Sequence, residues 1–268
     1  MSELDVQVRD GVATLTLDHP ASRNALSLSM KAALAAAAAD VAADADVRAL
    51  VITGAGGAFC AGGDLRGMEE HRPVATVQSW RERMRALHPL IRTLVTLDKP
   101  LIAAVDGAAY GAGFSLALTA DFVLASPQAR FCMSFMRMGL VPDFAAMYTL
   151  PRVVGVQRAR ELMLSARELG AQEAQQLGIV LEIVPAPALL ARAHEIAAGF
   201  VGASPLAVSH IKAGLGMSLA TDLDRALADE ADHQALCFET ESHRDAVRRF
   251  LAKEPAAFRW PPPRSTGA

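Results

Sequence analysis

The chain is poor in cysteine and aromatics, and neither sign of charge is in large excess. Its three cysteines, Cys60, Cys132 and Cys237, are odd in number and form no C-x-x-C pair. That excludes a disulfide framework or cysteine zinc site and predicts reduced, buried thiols in a cytoplasmic compartment. Aromatic residues make up 5% of the chain without interleaving with a basic stripe, and the net charge is −3 with both signs interspersed. No nucleic-acid surface is expected from such a pattern. No apolar stretch of membrane-spanning length avoids Gly, Pro and charge, and MSELDVQVRD has neither a basic nor an apolar targeting region, so a soluble, unexported protein without a membrane partner is expected. The seven histidines show no metal-ligand spacing, and no metal is expected.

What the chain does have is apolar mass. Hydrophobic residues are 52% of 268, enough to bury a large core without covalent staples. Residues 6–8 and 13–17 alternate around Asp10-Gly11, the signature of a hairpin. Residues 29–41 are alanine-rich and predict a scaffold helix. Residues 48–53 and Leu101–Val105 read as buried strands, and 122–125 and 180–184 as further short ones. Residues 75–97 predict one long amphipathic helix ended by Lys99-Pro100, with other helices over 158–164 and 171–177. The strand–helix rhythm implies a layered α/β core. Beyond Pro185 the pattern is helical, with Ser204-Pro205 starting a helix over 205–215. The closing PPPRSTGA predicts a frayed tail.

Two joins carry more information than the rest. After the strand at 48–53 comes GAGGAFCAGGD, residues 54–64, with helix expected from Leu65. After Leu101–Val105 comes DGAAYGAG, with Gly107, Gly111 and Gly113, and helix expected from Phe114. Glycine allows φ > 0 and close approach of backbones, while a helix start leaves N–H groups unpaired and favours negative charge. Two such turns can supply the two donors that an oxyanion hole requires. Glycine-rich turns of this kind also serve tight packing alone. A dinucleotide fingerprint fails, because G-x-G-x-x-G would need glycine at Phe59 or Leu116.

FCAGGDL at 59–65 and IAAVDGAAYGAGFSLALTAD at 102–121 resemble the two signature segments of the crotonase (enoyl-CoA hydratase/isomerase) family. HPASRNALS, RFCMSFMRMGLVPDFAAMYTLPRVVG and ESHRDAVRRFLAKEPAAF extend the likeness over nearly the whole chain. The resemblance implies a crotonase-like spiral of ββα units over 1–200, carrying an acyl-coenzyme A site. It also implies a helical C-terminal region over 201–268, serving site closure and assembly into a homotrimer or a dimer of trimers. The Gly63 and Ala112 amides become the expected oxyanion donors. Matching positions assign Arg23, Ala25, Ala61, Gly63, Asp64, Leu65, Ala112, Phe250 and Lys253 to the coenzyme A ligand, and Arg66 is a second candidate for its phosphates. Surface or packing roles suit Arg23, Phe250 and Lys253 equally well.

The departures bear on the chemistry. Family hydratases use two glutamates, and Ser115 and Phe135 stand at those positions here. Phenylalanine transfers no proton, and a lone serine hydroxyl is far from ionising at neutral pH. Asp143, in VPDF, resembles the acidic residue of the family's Δ3,Δ2-enoyl-CoA isomerases. One carboxylate removing a proton at C2 and returning it at C4 would suffice, with no metal or redox cofactor. Phe135, Phe144 and Met147 would form an apolar wall that raises its pKa. Its alternative role is as a helix N-cap. Asp64 reads as a helix cap and Asp121 as part of a structural turn, while Glu69, Glu70 and His71 are weaker candidates for the acyl pocket. The expectation is an acyl-CoA isomerase. The alternatives are a 2-enoyl-CoA hydratase with displaced acid and base, or a non-catalytic acyl-CoA binder.

Overall fold

The computed structural model describes residues 3–262. Strands β1 (Leu4–Arg9) and β2 (Val12–Leu17) form the expected hairpin, closed by Asp10 and Gly11 at φ 49° and 77°. Two successive positive φ values match the twist of a two-residue hairpin turn. Then follow α1 (Leu28–Ala43), β3 (Ala49–Gly54), α2 (Leu65–His71), α3 (Val77–Arg85), α4 (His88–Val95), β4 (Leu101–Val105), β5 (Ala108–Tyr110) and α5 (Ala112–Ala117). The chain continues through β6 (Phe122–Ala125), β7 (Arg130–Cys132), α6 (Ala146–Ser165), β8 (Glu168–Gly170), α7 (Ala171–Gln176), β9 (Glu182–Ile183) and α8 (Ala186–Gly199). Three helices end it: α9 (Pro205–Met217), α10 (Leu223–Phe238) and α11 (Glu241–Leu251).

A six-stranded sheet has the order β1-β2-β3-β4-β6-β9, and a three-stranded sheet the order β5-β7-β8. Successive turns place one strand in each sheet: β4 then β5, followed by β6 then β7. That alternation is the ββα spiral of the crotonase fold. From β2 to β9 the larger sheet is parallel. Both its faces are covered, which is why β4 is uninterruptedly apolar. Leu15, Leu50, Ile52 and Ala103 pack with α1 and the smaller sheet in the main core, while Val51, Ile102 and Leu124 pack under Leu189, Ala193 and Ile196 of α8. Burying a side chain of this size contributes about 1.5–3 kcal/mol.

The structure corrects several boundaries. The helix expected over 75–97 is two, because Pro89 lies in the first turn of α4, where its missing N–H costs nothing, and so starts a new helix. Helix begins at Ala112, two residues before Phe114. The helix at 158–164 belongs to α6, which is broken at Gly155 (φ 75°, ψ 159°). Only Glu182–Ile183 of 180–184 pairs as a strand, with β6. The tail does not fray where expected: Arg192, 1% exposed, donates to the carbonyls of Pro261 and Pro262 at 3.4 and 2.8 Å. The rest of that tail, 263–268, lies outside the described residues.

Phe122 and Phe200 stack at 6.0 Å, and Trp260 tilts onto Phe122 at 5.1 Å, clasping the segment after α11 onto the spiral. All three cysteines are free, Cys60 and Cys132 buried and Cys237 half-buried. Among the described residues no single helix is long and apolar enough to cross a membrane.

Candidate active site

The two glycine-bearing joins meet. Cys60 N–H donates to the Ala108 carbonyl and Tyr110 N–H to the Cys60 carbonyl, both at 2.9 Å, which makes a single parallel bridge between the loops. The first loop is also fixed from the other side, since Leu26 N–H donates to the Gly62 carbonyl at 2.7 Å and Ala61 N–H to the Arg23 carbonyl at 2.9 Å. Asn24, fully buried, donates from its side chain to the carbonyls of Ala55 and Ala58 at 2.9 and 2.7 Å and accepts from His19 N–H at 2.8 Å.

Two glycines show how close the approach is. At Gly113 a Cβ would lie 2.2 Å from the Cys60 carbonyl oxygen, so no side chain fits there. At Gly62, with φ 101°, a Cβ would lie 2.6 Å from the Tyr110 carbonyl oxygen and 3.6 Å from the Ala112 nitrogen. The Gly62-Gly63 backbone therefore adjoins the first residue of α5. Neither the Gly63 nor the Ala112 N–H has an acceptor among the described residues. For Ala112 the reason is its place in the first turn, where the preceding chain offers no helical carbonyl. Two unpaired donors at one junction are the arrangement that holds an oxyanion.

Asp143 lies in the segment before α6. It lines a cavity of about 580 Å³ with Leu87, with Ile91 and Val95 of α4, and with Phe144 and Met147. Its Oδ1 is buried without a hydrogen-bond partner. Burial raises its pKa to about 6, partly offset by the Lys31 ammonium. The N-cap alternative fails: α6 is capped by Ala145, whose side chain makes no cap bond, and Asp143 contributes only its main-chain carbonyl to Ala146 N–H at 3.0 Å. Phe144 and Ala145 both take left-handed backbone, φ 50° and 59°. Such strain costs on the order of 1–3 kcal/mol per residue and collects at functional sites.

Of the expected apolar wall, Phe144 and Met147 line this cavity, while Phe135 packs behind Gly111, its Cζ 3.8 Å from where a Cβ would be. Ser115 is fully buried and returns its hydroxyl to the Gly111 carbonyl at 3.2 Å, a helical back-bond.

On the other side of the first loop, Arg23, Ala25, Asp64, Leu65 and Arg66 line a cavity of about 360 Å³ with His19, Ala21 and Ser22. Ala61 adjoins it through its bond to Arg23. Asp64 caps α2, accepting from Arg66 and Gly67 N–H at 3.1 and 3.2 Å. Asp121 accepts from Leu101 N–H at 2.7 Å, a structural role as expected.

Phe250 and Lys253 are not brought to the loops. Phe250 is 81% exposed and Lys253 follows in left-handed backbone, because α11 packs chiefly on α10, and α10 on α9, rather than on the spiral. Glu69 pairs with Arg72 at 2.7 Å on the surface, Glu70 is exposed, and His71 meets the Trp80 ring edge-on at 5.0 Å.

One charged residue escaped the sequence reading. Lys31 is 7% exposed, and burial depresses its amine, with the Arg83 charge adding to this and the Asp143 and Asp64 charges opposing it. The signal was available, since Lys31 shares the buried stripe of α1 with Leu34, Ala38 and Val41 at helical spacing.

Two unpaired backbone donors where two glycine-bearing loops meet, on a two-sheet ββα spiral, define the class of fold. The chain belongs to the enoyl-CoA hydratase/isomerase family, whose model matches residues 7–260. It is similar to a 1,2-epoxyphenylacetyl-CoA isomerase of Escherichia coli K12, 37% identical over 253 residues, which cover 94% of this chain and 96% of that one. A 2,3-dehydroadipyl-CoA hydratase of the same organism is 36% identical, covering 97% and 99%. The crystal structure of an enoyl-CoA hydratase/isomerase from Cupriavidus metallidurans CH34 superposes with a TM-score of 0.93 at 43% identity, covering 99% of each chain.

Proposed function

We propose that the protein is an acyl-CoA isomerase that moves a double bond from C3 to C2. The observation that carries this reading is the pairing of an unpartnered, half-buried Asp143 with a serine and a phenylalanine at the positions where hydratases place glutamates. The thioester carbonyl oxygen accepts from the Gly63 and Ala112 N–H groups. Asp143 takes the C2 proton, and the electron pair spreads through the enolate onto C4. The same carboxyl then returns the proton to C4, leaving the double bond between C2 and C3. No water is consumed and no electrons leave the substrate. The coenzyme A portion runs from the carbonyl toward the Arg23 and Arg66 cavity, and the acyl group toward Asp143.

The raised pKa suits this work, because a base near 6 is ionised at neutral pH yet basic enough to hold the proton it carries. Similarity to relatives named as hydratases keeps hydration as the competing reading. Incubation with a 3-enoyl-CoA and, separately, with crotonyl-CoA separates the two. Conjugated thioester appearing from the first supports isomerisation, whereas hydroxyacyl-CoA formed rapidly from the second overturns it.

We further propose that the C-terminal helices serve self-association into a trimer or a dimer of trimers. Leu215, Leu223, Phe238 and Phe250 are each more than half exposed there, an apolar surface unusual for a free monomer. Light scattering that finds a monomer at micromolar concentration would contradict this.

A further inference from the structure

The cavity that Asp143 lines has two kinds of wall. Ile91 and Val95 of α4 meet Phe144 and Met147 across an apolar interior, while His88, Arg92 and Thr96, spaced one helical turn apart, bring polar groups to the same lining. Asp143 is the one acid of that lining and Arg92 the one guanidinium. They form no ion pair with each other. Because Asp143 Oδ1 is buried and Arg92 is exposed, the acid stands at the inner end of the cavity and the arginine at its mouth.

Arg92 also closes a basic run. Residues 77–96 hold Arg81, Arg83, Arg85 and Arg92 against Glu82 alone, in a chain whose net charge is −3. Among the described residues none of the four pairs with a carboxylate. Surface arginines elsewhere do pair: Arg225, Arg244, Arg248 and Arg249, which are all the arginines of α10 and α11, form ion pairs at 2.6–3.3 Å. A free guanidinium offers a planar fork of donors matched to a carboxylate. A plain hydrocarbon chain in the cavity leaves that fork unused, whereas a chain ending in a carboxylate reaches it at the mouth.

We propose that Arg92 is a specificity-determining residue that favours acyl-CoA thioesters carrying a carboxylate at the end of the acyl group remote from the thioester. The assignment rests on the acyl-CoA reading above, with the acyl group along the Asp143 cavity, but not on whether the bound thioester is isomerised or hydrated. Since Arg92 is exposed, the pair it makes stays partly hydrated and screened, and the preference is modest.

The test is binding without turnover. Hexanoyl-CoA and adipoyl-CoA are saturated thioesters of equal chain length that neither isomerisation nor hydration consumes, and they differ in having a methyl or a carboxylate at the far end. Titration calorimetry should show the wild type binding adipoyl-CoA about three- to tenfold more tightly, with the ratio shrinking as KCl is added. R92M should lose the preference or reverse it, and R92K, which keeps the charge without the fork, should fall between. R85M removes a charge from the same basic run at a residue outside the cavity lining and should leave the ratio near the wild-type value. Thermal unfolding of each variant close to the wild-type temperature shows that the fold is kept. A wild type that binds hexanoyl-CoA as tightly as adipoyl-CoA, a preference surviving in R92M, or an equal loss in R85M would overturn the proposal. Failure of both thioesters to bind would overturn the acyl-CoA reading itself, and failure of the isomerase reading alone shows as undiminished isomerisation by D143N.

Discussion

Replacing Asp143 by asparagine should do two opposite things. The carboxylate is the only proposed proton carrier, so loss of isomerisation is expected at about 10²–10⁴-fold, the usual worth of a positioned general base. Stability should move the other way. In the unfolded chain the group ionises near 3.8, while burial lifts it to about 6 in the fold. The folded state therefore holds its proton more tightly, and ionising Asp143 within the fold costs about 3 kcal/mol at ~1.4 kcal/mol per tenfold. That cost is absent below pH 4, grows as pH rises from 4 to 6, and is complete above. Asparagine carries no such charge. D143N should accordingly be more stable than the wild type by about 2–3 kcal/mol at pH 7.5 and indistinguishable from it near pH 3.5. Urea denaturation at the two pH values measures the difference, and conversion of a 3-enoyl-CoA measures the activity. A variant that isomerises at the wild-type rate would refute the catalytic argument. One that is no more stable at pH 7.5 than at pH 3.5, relative to the wild type, would refute the burial argument.

Other consequences are equally open to measurement. In the wild type kcat/KM should fall about tenfold per pH unit below pH 6 and level off above, because only the ionised carboxylate accepts a proton; a profile flat down to pH 5 would contradict this. A112P should fold, since proline is tolerated in the first turn of a helix, yet it removes one oxyanion donor and should lower kcat by about 10²–10³-fold. Full activity in A112P would remove the Ala112 amide from the mechanism. Asn24→Ala should cost about 2–4 kcal/mol in denaturant unfolding, because it strands two carbonyls and one N–H of the first loop. Arg192→Ala removes a buried guanidinium that pairs with Glu182 and Glu195 at 2.9 Å and holds the Pro262 carbonyl, and should cost about 3–5 kcal/mol in denaturant unfolding.

The parts of the fold legible in the sequence were those with local causes. β4 announced itself by five apolar residues between a proline and a glycine turn, and the Asp10-Gly11 hairpin by its turn chemistry. The close approach of the two loops was legible because glycine is the only residue that fits where Gly62 and Gly113 approach neighbouring carbonyls. Features decided by distant partners were not legible. Pro89 splits a helix whose apolar spacing runs on through the break. Asn24 reads as an ordinary turn residue until the Ala55 and Ala58 carbonyls close on it. Lys31 lies on the buried stripe of α1 with Leu34, Ala38 and Val41, but a lysine in an alanine-rich helix reads as solvated unless that spacing is weighed. Phe250 faces outward in the single chain, since α11 packs chiefly on α10.

The contact between Gly113 and Cys60 separates the molecule into a part that substitution cannot adjust and a part that it can. On the proposed mechanism the thioester carbonyl is gripped by main-chain atoms whose spacing is set by touching backbones, so no exchange of side chains can retune that grip by degrees. On that mechanism the fate of the thioester is decided by replaceable side chains, such as the Asp143 carboxylate and the phenylalanine at position 135. Such a scaffold can change its chemistry one residue at a time without rebuilding the machinery that makes any of that chemistry possible.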